Sequence, residues 1–92
     1  MNDDLHLIQS KVDQDAWNIM LFLLDNASVH LRKLIEQLDA DGEIDETDMN
    51  IQLGLIFGHL NRTWNGRHLV GNCIEDWYAE ENCAFPKDIM IT

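Results

Sequence analysis

The residues with the densest chemistry are the acids of "EQLDADGEIDETDM", residues 36–49. Asp39, Asp41, Asp45 and Asp48 recur at intervals of two to four, with Gly42 among them. Hard carboxylate oxygens at this density suit a hard divalent cation such as calcium, which takes six to eight oxygen ligands. The same residues also suit a solvated turn. Asp and Gly favour tight turns, and carboxylates are stabilising at the positive end of a following helix.

With Gly42 at the sixth position of a twelve-residue loop, the segment 37–48 resembles an EF-hand. Asp39 then falls at position three, Asp41 at five, Ile44 at the apolar eighth and Asp45 at nine. The resemblance implies calcium held by Asp39, Asp41, Asp45 and Asp48. The segment departs from the pattern at both ends: Gln37 stands where the family has Asp, and Asp48 stands where it has the longer Glu. No second loop accompanies it. The turn accounts for every residue without a metal and is the expectation; calcium is the alternative.

A second constellation is "HLNRTWNGRH", residues 59–68. It concentrates two of the six basic residues and two of the four histidines. His59, Asn61, Arg62, Trp64 and Arg67 form the candidate partner-binding set. A planar guanidinium beside an indole offers charge, area and a hydrogen-bond donor together. The competing structural reading pairs Arg62 and Arg67 with nearby acids such as Glu75 or Asp76.

His59, His68, Cys73 and Cys83 are four residues of zinc-ligand type. Their spacings of nine, five and ten match no paired structural zinc motif. The cysteines are expected as free thiols. No nucleophile elbow, phosphate-cradling glycine loop or HExxH stands in the chain, so no catalytic residue is assigned.

The elements that carry these residues read as helices. Leu5, Ile8, Val12, Trp17, Met20, Leu23 and Leu24 keep a helical rhythm, with Asp3 or Asp4 as the cap. "DNAS" at 25–28 is expected to interrupt it, with Ser28 capping a second helix through Leu31, Leu34, Ile35 and Leu38. A third helix is expected from near Thr47 to the "NG" at 65–66, and a fourth, short one around Ile74, Trp77 and Tyr78. Pro86 predicts an extended tail. The expectation is thus an all-α domain over residues 1–92: a small bundle of three long helices, a short fourth helix and an extended C-terminal tail. Gly54 and Gly58 are four apart and would admit a close helix neighbour, internal or in a homodimer.

Seventeen Asp and Glu against six Lys and Arg give a net charge of −11. Such a surface repels nucleic-acid phosphates and anionic lipid, and attracts basic protein. The opening "MNDDLHLIQS" lacks the basic and apolar regions of a signal peptide, so the expected location is cytoplasmic. The expected function is a non-catalytic interaction or regulatory module for a basic protein surface or for a second copy.

Overall fold

A computed structural model describes residues 7–11 and 13–92. Helix α1 spans Gln14–Asp41, α2 spans Glu46–Asn65, and two single turns follow, α3 at Ile74–Trp77 and α4 at Glu80–Cys83. The chain is all-α, with no strand among the described residues. No helix among them is long and apolar enough to cross a membrane. The expected cap at Asp3 or Asp4 lies outside the described residues.

Among the described residues two long helices stand where three were expected. The "DNAS" segment does not break α1. Asn26 turns its amide back onto the Phe22 carbonyl at 2.8 Å, a bond inside the helix, while Ala27 is buried. Asn and Ser in a helix cost only about 0.5 kcal/mol each against Ala. A buried stripe of Ala16, Met20, Leu23, Ala27 and Leu34 outweighs that, because each buried Leu or Met side chain contributes about 1.5–3 kcal/mol.

Gly42 ends α1 at φ 71°, a left-handed conformation that favours glycine, and its N–H donates to the Leu38 carbonyl. Asp45 then caps α2 by accepting from the Thr47 N–H at 3.0 Å. Only residues 42–45 separate the helices, so they fold back as an antiparallel hairpin. The side chains confirm the register: Gln37 reaches Asp48 and Gln52, while His30 stacks on His59.

The core has two parts. Towards the hairpin's turn, Ala27, Leu34 and Ile56 are buried, with Leu38, Ile44 and Leu53 against them. Towards its open end, Ala16, Met20, Leu23 and Trp77 are buried, flanked by Trp17, Ile19 and Leu69. Trp77 comes from α3, so the C-terminal segment completes a core that two helices alone leave open. Asp13 ties the two together. Its carboxylate caps α1 through the Ala16 N–H at 3.0 Å and accepts the Gly71 N–H at 2.7 Å.

Candidate functional site

The residues of the 59–68 segment occupy the last turns of α2 and the bend after it. Their side chains work chiefly on the C-terminal segment. Asn61, buried, donates to the Cys83 carbonyl at 2.9 Å. Asn65 donates to the carbonyls of Asn82 at 2.9 Å and Ala84 at 2.8 Å. These α4 and tail carbonyls have no helical continuation to satisfy them, and the two amides supply the missing donors.

Trp64 and Arg67 grip the tail further on. The indole Nε1 donates to Asp88 Oδ1 at 2.9 Å, and the Arg67 guanidinium meets Asp88 Oδ2 at 3.3 Å. The same guanidinium lies 3.8 Å over the indole and donates to the Trp64 carbonyl at 2.7 Å. The acid paired with Arg67 is Asp88, rather than Glu75 or Asp76. The indole hydrogen bond, with Arg67 beside it, holds the Asp88 carboxyl below the usual carboxylate range.

Arg62 lies 4.4 Å over the Tyr78 ring, and its Nε is buried without a hydrogen-bond partner among the described residues. Its guanidinium also fills the space beside Gly58, where a Cβ would stand 2.9 Å from Nη1 and 3.9 Å from Cys83 Sγ. Gly58 therefore serves the internal packing of α4 on α2. Gly54, its fellow in the small-residue pair, faces open space.

His59 belongs to the helix seam. Its ring stacks on His30 with centroids 5.7 Å apart and an interplanar angle of 9°. Nδ1 is buried and unpartnered among the described residues. Burial, followed by the nearby His30 and Arg62, pushes its pKa below the ordinary histidine value. The five candidate residues are thus not one cluster. His59 faces α1, Arg62 faces Tyr78, and Asn61, Trp64 and Arg67 clasp the tail.

The acidic segment forms the turn of the hairpin. Asp39 and Asp41 are helical, in the last turn of α1, so the twelve-residue loop of an EF-hand is not formed. Asp45 is committed as an N-cap. Asp48 accepts from Gln37 at 3.1 Å and from Gln52 at 3.2 Å. Among the described residues no three His, Cys, Asp or Glu side chains converge as a metal-ligand group. That holds for the four aspartates and for His59, His68, Cys73 and Cys83. Cys73 is exposed and Cys83 half-buried, both as free thiols.

What the turn does create is a negative pole. Seven acids lie from Glu36 to Asp48, all but Asp48 exposed, and none forms a salt bridge among the described residues. Asp39 and Asp41 stand at the negative end of the α1 dipole, with no basic residue in that turn. Each such placement destabilises a helix by about 0.3–1 kcal/mol. Asp45, Glu46 and Asp48 suit the positive end of α2, so helix energetics oppose the α1 half of the pole, Asp39 and Asp41.

Sequence reasoning missed Asp13, Asp88, His30 and the Gln37–Asp48–Gln52 network. Asp13 carried a readable signal, an acid just before the buried Ala16–Met20 stripe. The other residues carried none, because each is defined by a partner at least eleven positions away in sequence.

Comparison with protein-family models, with curated proteins and with solved structures finds nothing that matches the chain.

Proposed function

We propose that this chain is a non-catalytic protein-interaction module whose acidic hairpin end binds a basic protein surface. The observation that carries the reading is the position of Asp39 and Asp41. They are exposed, without an ion pair among the described residues and set against the α1 dipole, in a pole of seven acids. Departures from local energetic preference concentrate at working sites, where a partner compensates for them. A Lys- or Arg-rich surface would do so here, neutralising the acids and the helix dipole together.

The asymmetry of charge sets the partner's chemistry. Nucleic-acid backbones and anionic lipid share the pole's sign and are repelled. A basic protein is steered towards it, and such association weakens steeply with salt. The residues of the 59–68 segment contribute indirectly, by holding the C-terminal segment on the hairpin so that Trp77 completes the core.

The test uses a lysine-rich helical peptide as probe and titration calorimetry as readout. Binding should fall as ionic strength rises, and a combined Asp39→Asn, Asp41→Asn, Glu43→Gln variant should lose at least about tenfold in affinity. Equal affinity for this variant and the parent would overturn the reading.

A further inference from the structure

One side of the hairpin is apolar and exposed along α1. In an antiparallel pair, the residues one position after each inward-facing residue share a side. On α1, residues inward at 20, 23, 27, 30 and 34 place Leu21, Leu24, Ser28, Leu31 and Ile35 there; on α2, His59 places Leu60 there, while Phe57, which follows the buried Ile56, is packed edge-on against Phe85 of the tail. The five apolar members are each between 41 and 51% exposed, and no charged residue interrupts the row. The opposite side also exposes apolar residues, Phe22 at 54%, Val29 at 44% and Leu55 at 48%, but there Asn26 and Lys33 interrupt the row.

Its spacing is specific. The α1 row advances by three and four alternately, the 3.5-residue repeat of a helix seam that packs knobs into holes. The chain's accessible surface is 6933 Å². A monomer of 10.7 kDa is expected to show only about 5,500 Å². The excess, roughly 1,400 Å², belongs to the elongated 54 × 24 × 23 Å chain as a whole, the exposed Phe85, Met90 and Ile91 of the tail included, so the choice of this face rests on its row and its flanking charges.

The flanking charges select the occupant. Asp25 and Arg32 follow Leu24 and Leu31 directly, at the edge of the seam, and both are exposed. Neither forms an ion pair or hydrogen bond among the described residues. In an antiparallel seam, edge positions of this kind face their counterparts on the other helix. Asp25 then meets Arg32 of a second copy, and Arg32 meets that copy's Asp25. The row is also self-complementary in that orientation. A two-fold axis between Ser28 and Leu31 sets Leu24 beside Ile35 of the second copy and the small Ser28 beside Leu31.

We propose that two copies pair through this face as an antiparallel dimer, α1 on α1, forming a four-helix arrangement with the acidic poles at opposite ends. The His30–His59 register brings Leu60 level with the two-fold axis, so α2 contributes at the centre. The alternative two-fold, parallel to the helices, would set both sevenfold acidic poles side by side. Repulsion among their carboxylates opposes it. The contact is isologous and closes on itself, which stops assembly at two.

Sedimentation equilibrium of the full chain tests the proposal. The expected mass is twice 10.7 kDa from low to high micromolar concentration. Leu31→Glu should give a monomer with unchanged far-ultraviolet circular dichroism, and Leu24→Gln replaces it if helicity is lost. Asp25→Arg should raise the dimer dissociation constant by at least about tenfold, since two attractive pairs become repulsive. Adding Arg32→Asp should restore it. A parent chain of 10.7 kDa at every concentration overturns the proposal, and so does a double swap as weak as Asp25→Arg alone.

Discussion

The Trp77 ring occupies the space where a side chain on Gly66 would begin. A Cβ built on Gly66 would stand 2.5 Å from the indole Cε3 and 2.6 Å from Cζ3. Gly66 has φ −96°, so glycine is required there for room rather than for a left-handed turn. This contact lets α3 press a fully buried Trp against the end of α2 and the foot of α1.

Gly66→Ala should therefore destabilise strongly, by about 2 kcal/mol or more, because a buried ring and backbone cannot both yield without opening the core. Gly54→Ala is the internal control. Gly54 faces open space in the middle of α2, so alanine should stabilise by about 0.5–1 kcal/mol. Urea unfolding of both variants gives the two signs.

Asp88 should act as the latch of the tail. Its pKa is lowered by the Trp64 hydrogen bond first, with Arg67 adding to it. A depressed folded-state pKa means the latch is fully effective above the ordinary carboxylate value near 3.8. It is lost as pH falls through the lowered one. Trp64→Phe keeps the ring and deletes the donor. It should speed amide hydrogen exchange in residues 82–88 at neutral pH while leaving the hairpin amides protected. Unchanged exchange there would count against the latch.

His59 gives a second pH dependence, nearer neutrality. Its folded pKa lies below the ordinary 6.5, chiefly through burial, so between the two values the unfolded chain binds the extra proton. Stability should be full above about pH 6.5 and decline as pH falls towards the lowered pKa. Urea midpoints at pH 7.5 and 5.5 measure the decline, and His59→Gln should flatten it.

The acidic pole should be a stability defect in the isolated chain. Asp39→Asn with Asp41→Asn removes two charges from the wrong end of the α1 dipole, for a gain of about 0.3–1 kcal/mol each. A melting point higher by several degrees is expected for a chain of this size. Because the aspartates are not gathered round one point, calcium, magnesium and matched monovalent salt at equal ionic strength should raise the parent's melting point alike, by screening. A rise specific to calcium would require the turn to rearrange.

Much of the hairpin is written locally. Asp45 before a run of apolar residues, and Asn65–Gly66 after it, delimit α2 almost to the residue, and the Asp–Gly-rich turn reads as a turn. Ile74, Trp77 and Tyr78 mark α3. The acidity and the absence of alternating strand patterns are likewise properties of short stretches, legible because capping, turn geometry and periodicity depend only on near neighbours. Tertiary structure decided the rest. Asn26 and Ser28 suggest a break that burial of Leu23, Ala27 and Leu34 overrides, since local preferences of a few tenths of a kcal/mol yield to packing. Of seventeen acids, only the fold could select Asp88 for Arg67 and Asp13 for Gly71. Which apolar residues stay open was also settled in three dimensions. Leu24 and Leu34 look alike in sequence, but a hairpin has only one inner face, and Leu34 lies on it while Leu24, 44% exposed, does not.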